Sequence, residues 1–389
     1  MKLNYKKLGK YIRQVDVRNI SGIEENLLGV SVQKKFIPSI ANTVGTDFRK
    51  YKVVKKGQFT YIPDTSRRGD KIGIALLSEY DEGLVSNVYT VFEVIDSNEL
   101  VPEYLMLWFS RPEFDRYSRF KSHGSVREIF DWEQLCDVEL PVPEIEIQQS
   151  IVKAYKNITD RISLKQQINN NLEATIQAFF QDYFASYYSL SELPENWTIE
   201  RLDDVCTVKG GKRLPADCEL IDNPTNHPYI RVRDVGNSRY VCLTNQFQYI
   251  DEETYSTISR YIVNKNDIVI SIVGTIGLIG KIHSSLDGAN LTENCVKLAN
   301  IQRVTSDYIY YTLCYKKQMK EIELLTVGAV QAKLPMYNIQ SMPIVVPSTD
   351  VMKVFQTKID VFNSKIEANT VEIHQLYELL EILLSKLSA

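Results

Sequence analysis

The 389-residue sequence lacks the features that would place it in a membrane or in a secretory route. No run of about eighteen apolar residues occurs, so nothing is expected to span a bilayer. Residues 1–7 carry charge but contain no apolar core, so they do not resemble a secretory signal. We therefore expect a cytoplasmic protein without a membrane partner.

Cysteine and histidine are too few and too scattered to suggest a metal site. Six cysteines stand at positions 136, 206, 218, 242, 295 and 314, and there are four histidines. No two cysteines form a C-x-x-C pair, so no zinc site is expected. The pattern favours reduced, structural thiols.

Catalytic motifs are also missing. Gly211-Lys212 lacks the upstream glycine and the downstream Ser or Thr of a P-loop. The glycine-rich segment 274–280 does not have G-x-G-x-x-G spacing, and we interpret it as a tight loop between strands. No G-x-S-x-G nucleophile elbow occurs. We therefore predict a non-catalytic chain that holds no metal and no cofactor.

The charge balance argues mildly against a nucleic-acid binder that works alone. The formal net charge is −4, from 45 basic and 49 acidic residues, whereas free-standing nucleic-acid binders usually carry a basic excess. Local basic surfaces remain compatible with this balance. It suggests that other subunits supply part of any grip on DNA.

The strongest positive feature is an internal repeat. Pro143 and Pro347 each follow an apolar triplet, and they lie 204 positions apart. The same offset relates two further pairs: Tyr104 and Tyr308, Gly124 and Gly328. A duplication of half the chain predicts two similar domains, two similar helices and a pseudo-two-fold arrangement.

Each copy of the repeat ends in a heptad pattern. In the second copy, apolar residues recur every seven positions: Met352, Ile359, Ile366, Ile373, Leu380 and Leu387. This spacing predicts a coiled-coil helix over 347–389, and the offset places a similar helix at 143–190. Two such seams can bury each other as an antiparallel pair.

The remaining regions, 1–142 and 191–346, are predicted to be α+β and rich in strands. Their predicted elements match in order: strands at 53–61 and 263–271, strands at 85–92 and 291–298, helices at 102–109 and 306–313, and glycine turns at 124–127 and 328–331. The fold class that follows is α+β, with two similar domains separated by two long α-helices that form an antiparallel coiled coil.

Both globular regions carry basic or amide side chains on predicted loops. The first has Lys34, Lys35, Arg49, Lys55, Arg67, Arg68, Lys71 and Arg127, and the second has Lys209, Lys212, Arg213, Arg231, Arg233, Lys281 and Gln331. Lys and Arg anchor phosphates, whereas Arg and Gln can also read guanine and adenine edges. Any single one of them could instead be a solvated surface charge, and Arg233-Asp234 could be an internal salt bridge. Taken together, basic pairs on the loops of two duplicated regions favour DNA.

Two variable globular regions, each followed by a similar long helix, resemble the specificity (S) subunit of type I restriction-modification systems. The characteristic runs are QVDVRN at 14–19, FIPS at 36–39 with VGT at 44–46, EFDRY at 113–117 with KSHGS at 121–125, LPVP at 140–143, QQSIV at 148–152, GGKRLP at 210–215 and YIRVRDV at 229–235. The second helix departs from the pattern, because Met352-Lys353 stand where the first has Gln148-Gln149.

This resemblance implies that each globular region reads one half of a split, asymmetric, double-stranded DNA target. It implies that the helices form a spacer and dock two modification (methyltransferase) subunits, which restriction (motor-nuclease) subunits can join. S-adenosylmethionine, ATP and Mg²⁺ are then expected in those partners. The predicted docking residues are Ile151, Ile158, Ile162, Leu172, Ile359, Ile366, Ile373 and Leu380.

Two alternatives remain open at this point. One is a standalone DNA methyltransferase or nuclease with a diverged catalytic site, which would bind a methyl donor by itself. The other is a coiled-coil interaction scaffold with no role on DNA.

Overall fold

The computed structural model describes residues 5–40, 43, 45–65, 71–123, 128–188, 192–236, 238–315, 320, 322, 324–327 and 332–388. The chain divides into two compact units, which we call unit 1 (Met1–Arg161 with Tyr377–Ala389) and unit 2 (Ile162–Leu376). Within the described ranges, no helix combines the length and the apolar character that crossing a membrane requires.

Unit 1 is built from short strands followed by helices. Its strands are β1 Tyr5–Lys7, β2 Ile12–Val15, β3 Leu28–Val30, β4 Phe36–Pro38, β5 Lys52–Lys55, β6 Phe59–Tyr61, β7 Ile74–Leu76, β8 Glu82–Val85, β9 Thr90–Val94 and β10 Glu139–Pro141. Its helices are α1 Pro102–Phe109, α2 Pro112–Lys121, α3 Trp132–Cys136 and the start of α4 Ile145–Phe184. The main sheet has the order β2-β9-β6-β7, and all of its pairings are antiparallel.

Unit 2 also combines short strands with helices. Its strands are β11 Thr198–Arg201, β12 Thr207–Gly210, β13 Pro228–Ile230, β14 Tyr240–Val241, β15 Gln248–Tyr249, β16 Ile268–Ser271, β17 Ile279–Ile282, β18 Asn290–Leu291, β19 Cys295–Ala299 and β20 Pro343–Val346. Its helices are α5 Leu202–Val205, α6 Glu252–Ile258, α7 Ser306–Cys314, α8 Met336–Gln340 and most of α9 Thr349–Ser385. The main sheet has the order β12-β19-β16-β17-β14, with β14 parallel to β17.

The predicted repeat is therefore confirmed at the level of topology. The sheet order β2-β9-β6-β7 of unit 1 matches β12-β19-β16-β17 of unit 2. The predicted helix 102–109 is confirmed as α1, and helix 306–313 is confirmed as α7 with one further residue. The α+β fold class predicted from the sequence is correct.

The repeated tyrosines make the same hydrogen bond in both units. The Tyr104 hydroxyl donates to the Pro141 carbonyl at 3.0 Å, and the Tyr308 hydroxyl donates to the Val345 carbonyl at 2.7 Å. Both tyrosines are buried. Each bond ties the helix after the main sheet to the strand that leads into a long helix, so the offset of 204 residues reflects a repeated structural tie.

The predicted heptad seams of the long helices are buried or half-buried. In unit 2, α4 and α9 run antiparallel: Lys165 forms an ion pair with Glu372 at 2.6 Å, whereas the rings of Phe179 and Phe362 lie 6.1 Å apart. Buried seam residues join the core of the unit: Ile176, Phe180, Met352, Phe355, Ile359 and Ile366. In unit 1, Leu384 and Leu387 of the carboxyl-terminal segment pack on the core beside Ile151 and Tyr155 of α4.

Candidate nucleic-acid interface

Four of the basic residues predicted to contact DNA are exposed on unit 1. They are Lys35, Arg49, Lys55 and Lys71. Arg49 donates from Nε to Asp47 Oδ1 at 3.2 Å but remains largely exposed. Exposed Lys and Arg side chains can exchange water and ions for phosphate oxygens at little cost in burial.

Lys34 has an internal role, which corrects its assignment to the DNA set. Its side chain is only 7 % exposed, and Nζ lies 2.7 Å from Asp115 Oδ1 and 2.5 Å from the Phe109 carbonyl oxygen. Burial lowers the pKa of the Lys34 amine, although Asp115 opposes that shift. Withdrawing Lys34 towards DNA would leave Asp115 as a buried carboxylate without its cation, so we exclude it.

Unit 2 also exposes four of its predicted basic residues, Lys209, Lys212, Arg213 and Arg233. A glycine holds the loop that carries two of them. A Cβ on Gly211 would lie 2.1 Å from the Thr292 carbonyl oxygen, so only glycine allows this approach. The Lys212 amide donates to the Leu291 carbonyl at 2.8 Å, which fixes the loop on β18. The Arg213 side chain is 80 % exposed and makes one ion pair, with Glu293 at 2.7 Å.

Arg231 and Lys281 are tied down inside unit 2, and this corrects their assignment as well. The Arg231 guanidinium lies 2.8 Å from Asp234 and also bonds to Gln248. The Lys281 amine is buried and lies 2.6 Å from Asp307. The sequence left open an internal salt bridge between Arg233 and Asp234. Asp234 instead pairs mainly with Arg231, because Arg233 approaches Asp234 only to 3.9 Å and is exposed.

The remaining predicted contacts, Arg67, Arg68, Arg127 and Gln331, lie outside the described residues, as do the glycines of both predicted turns, Gly124 and Gly328. The proposed base readers at 127 and 331 therefore stay a prediction.

The glycine-rich segment 274–280 connects β16 to β17 and is a tight loop, as predicted. Gly274 and Gly277 have φ values of +80° and +82°, which glycine adopts without strain. Ser271 closes the loop: its hydroxyl donates to the Thr275 carbonyl at 2.6 Å and accepts from the Leu278 amide at 2.9 Å.

Unit 2 contains a buried ionic cluster that the sequence did not predict. We define this cluster by its residues: Glu173, Arg239, Lys281, Asp307, Tyr311, Gln356 and Asn363. Arg239 bonds to Asp307, and its Nη1 donates to Asn363 Oδ1 at 2.6 Å. Gln356 and Asn363, both on α9, donate to Asp307 Oδ2 at 2.8 and 3.0 Å. The cluster thus fastens the main sheet and α7 to both long helices.

The charge states in this cluster depend on one another. Burial opposes ionisation of Asp307, but Arg239 and Lys281 outweigh it and hold the pKa of that carboxyl below its ordinary value. Burial raises the pKa of Glu173, which Arg239 only partly offsets. Tyr311 bridges the two sides, because its hydroxyl donates to Glu173 Oε2 at 2.6 Å and accepts from Arg239 Nη1 at 2.7 Å. No sequence motif links these residues, which come from the segment before β14, from β17, from α7 and from both long helices.

The predicted docking seams lie largely against the chain itself, so they offer little free surface to another subunit. Five of the predicted docking residues are buried: Ile162, Ile359, Ile366, Ile373 and Leu380. The other three, Ile151, Ile158 and Leu172, are half-buried. Large apolar side chains instead reach solvent from the outer faces of the helices. In unit 2 these are Leu164, Val354 and Val361; in unit 1 they are Ile147, Tyr377, Leu379 and Ile382.

Among the residues that the structure describes, no group of three or more His, Cys, Asp or Glu side chains is arranged to hold a metal ion. The six cysteines are free thiols, as predicted. Burial raises the pKa of four of them, Cys206, Cys242, Cys295 and Cys314, to about 12, which suits thiols that pack in a core.

Comparison with known proteins gives a consistent result along the whole chain. The family model described as type I restriction modification DNA specificity domain matches twice, at residues 3–174 and 194–382. The specificity subunit of the type I restriction enzyme HindI from Haemophilus influenzae is 21% identical over 430 aligned positions, covering 92% of each chain. The specificity subunit of the type I restriction enzyme MjaIX from Methanocaldococcus jannaschii is 23% identical over 314 residues, covering 76% of this chain and 70% of the relative.

The fold also has a solved counterpart. The S subunit of a type I restriction-modification system from M. genitalium superimposes with a TM-score of 0.57 at 15% identity, covering 99% of this chain and 96% of that one. At this identity the likeness establishes the fold alone, whereas the two family matches account for most of the residues in both halves of the chain. The chain therefore belongs to the type I restriction-modification DNA specificity family, whose members are DNA-recognition rather than catalytic subunits.

Proposed function

We propose that residues 1–142 and 191–346 are two target-recognition domains, and that each reads one half of a split DNA target. Residues 143–190 and 347–389 are the spacer helices in this proposal. The observation that carries it is a single repeated frame with different surface chemistry: the two main sheets share their strand order, but the exposed basic groups differ in type and position. Two different readers in one frame favour an asymmetric target.

On unit 1, Lys35, Arg49, Lys55 and Lys71 are the proposed DNA contacts. On unit 2 they are Lys209, Lys212, Arg213 and Arg233. Long basic side chains at the surface position a protein on the phosphate backbone, whereas the bases are read by contacts to their edges in the grooves. Arg127 and Gln331 remain the proposed base readers, since guanidinium and amide groups prefer different base edges.

The proposed partners are two modification (methyltransferase) subunits, together with restriction (motor-nuclease) subunits. The support is the exposed apolar surface of the long helices. Val354 and Val361 lie one heptad apart on the outer face of α9, and the Val361 side chain is 73 % exposed. Apolar surface of this kind marks a contact with another protein. S-adenosylmethionine, ATP and Mg²⁺ then belong to those partners, and the assembly works on DNA in the cytoplasm.

Footprinting of the reconstituted complex tests this proposal. We expect protection of two short, dissimilar blocks of DNA separated by a spacer that is not read. Sequence-independent protection would refute split recognition, and binding of S-adenosylmethionine by this chain alone would favour the alternative of a standalone methyltransferase.

Single substitutions refine the test. Lys55→Ala and Lys209→Ala should weaken binding on all sequences alike and lower the slope of log K against log salt by about one each. The matched control is Lys7→Ala, an exposed lysine outside the proposed set that pairs with Asp137. If Lys7→Ala weakens binding equally, Lys55 and Lys209 are not DNA contacts. Deleting one heptad from each long helix should also change the length of the unread spacer, and an unchanged spacer would refute the role of the helices as spacers.

A further inference from the structure

Unit 1 contains a cavity where unit 2 contains its buried ionic cluster. The cavity has a volume of about 380 Å³ and lies between the end of β7, helix α1 and helix α4. Its wall includes Ser78, Glu103, Val152, Tyr155 and Thr159. Volumes of roughly 300 to 1,000 Å³ are typical of sites that bind small molecules or single side chains.

Strand register and the 204-residue repeat relate this wall to the cluster residue by residue. Phe59 pairs with Leu76 and Phe92, just as Ile268 pairs with Lys281 and Leu298. The same strands continue alike, because the Phe130 amide donates to the Pro63 carbonyl just as the Leu334 amide donates to the Ile272 carbonyl. Leu76, which lines the cavity, therefore corresponds to Lys281. The repeat offset supplies the other pairs: Glu103 and Asp307, Val152 and Gln356, Thr159 and Asn363.

The two sites share a carboxylate but differ in what surrounds it. In unit 2, Asp307 is buried between the guanidinium of Arg239 and the amine of Lys281. In unit 1, the corresponding Glu103 is exposed, and the uncharged Leu76 stands at the position of the lysine. The amine of Lys34, which approaches this region, is already paired with Asp115. The unit 1 site thus keeps the acid without the two cations that fill the equivalent space in unit 2.

We propose that this cavity receives an arginine side chain from a partner polypeptide, with Glu103 as its counter-ion. The guanidinium would take the place that Arg239 holds in unit 2, where it lies 5.0 Å from the centre of the Tyr311 ring. Apolar wall residues of unit 1, Met106, Leu107 and Tyr155, suit the alkyl stem. A guanidinium is less strongly hydrated than an ammonium and stacks on aromatic rings, which favours arginine over lysine.

The rim of the cavity carries charges of both signs. Lys35 and Lys156 are exposed there, and Glu79 and Glu103 balance them. Selection for a cation therefore depends on Glu103 itself rather than on a general negative field, so one substitution at that position removes it.

The cavity can be tested in the full chain without any partner. Met106 lines it, so its ¹³C-labelled methyl group reports on occupancy, and the buried Met342 of unit 2 serves as an internal control. Titration with N-acetyl-arginine-N-methylamide should move the Met106 signal to saturation in the millimolar range, since so small a ligand makes few contacts. The lysine analogue should bind at least fivefold more weakly.

Three variants sharpen this titration. Glu103→Gln should weaken binding at least fivefold, whereas Leu76→Lys should abolish it, because the new amine can pair with Glu103 as Lys281 pairs with Asp307. Asn87→Lys adds the same charge at an exposed position of unit 1 outside the cavity wall and should bind normally. An absent or non-saturable shift at Met106, an equal response to the lysine analogue, or unchanged binding by Glu103→Gln would overturn the proposal.

The source of the arginine rests on the proposed function, which makes the modification subunit the partner. Leu76→Lys should then weaken assembly with that subunit at least tenfold, and Asn87→Lys should not. If the unaltered chain forms no complex, the proposed function fails. If the unaltered chain and Leu76→Lys assemble equally well, the modification subunit is not the donor and this part of the inference fails.

Discussion

Replacing Asp307 by asparagine should destabilise unit 2 strongly. Asp307 accepts bonds from Arg239, Lys281, Gln356 and Asn363, and its side chain is only 7 % exposed. Asparagine has almost the same shape, so the substitution removes the charge and leaves the packing. Two buried cations then face each other with Glu173 as the nearest acid, 3.7 Å from Arg239.

The size of the effect follows from burial. Removing one partner of a buried ion pair costs about 3–5 kcal/mol, because the remaining charge stays desolvated. The Arg239 side chain is 1 % exposed, so solvent gives almost no screening. The charge of Glu173 and the unchanged side-chain shape both reduce the loss of stability. We therefore expect Asp307→Asn to lower the free energy of unfolding by about 3 kcal/mol. Lys281→Met in the same chain removes one of the two stranded cations, and the double variant should recover roughly 1–2 kcal/mol.

Hydrogen exchange of peptides from α7, measured by mass spectrometry, reports the stability of unit 2 separately from that of unit 1. Glu293→Gln is the control, since it breaks the exposed pair with Arg213 and should leave exchange in α7 unchanged. A cost of less than about 1 kcal/mol for Asp307→Asn would show that its charge does not hold the cluster together, and so would a double variant that is less stable than the single one.

Three further predictions concern the long helices. Burial raises the pKa of the Glu173 carboxyl above its ordinary value of 4.5. The stability that this group contributes is therefore present below pH 4.5 and is lost as pH rises through the folded-state pKa. Urea unfolding over a pH series should show this fall in the free energy of unfolding in the unaltered chain and not in Glu173→Gln. Asn369→Leu deprives Asn169 of its 2.9 Å partner and should cost about 1–2 kcal/mol in thermal unfolding, whereas pairing it with Asn169→Leu should restore stability. Val361→Asp should leave unfolding unchanged but weaken assembly with the modification subunit at least tenfold, and normal assembly would remove the outer face of α9 from the docking surface.

The repeated topology and the buried helix faces were predictable because they depend on residue patterns that are visible in the sequence itself. Heptad spacing decides which face of a helix is buried, so the seam residues Ile359 and Ile366 could be named before any coordinates. The offset between Tyr104 and Tyr308 marked a hydrogen bond that both units make. Each of these signals is local, or repeats at a fixed distance.

The roles of individual basic residues were not predictable, because partners distant in sequence decide them. Lys34 is paired with Asp115 and Lys281 with Asp307, and both lysines read like ordinary loop cations in the sequence. Lys35 and Lys209 look no different there, yet they are exposed. The docking role of the seam residues stays a prediction for a related reason: a heptad seam shows that a helix face is buried, but it does not show whether the same chain or another one covers it.

The two units differ in places that DNA recognition alone does not require. If the copies diverged only to read different bases, the differences would lie in exposed loops, and the junctions between sheet and helix would match. Instead, unit 2 closes its junction with Arg239 and Lys281, whereas unit 1 has the uncharged Leu76 and an exposed Glu103 in the wall of a cavity. A buried cluster fixes one arrangement of the elements that it joins, whereas an open cavity can be completed by another molecule. Because only one junction is complete within the chain, the two units are not interchangeable as surfaces for a partner, even though their topology repeats.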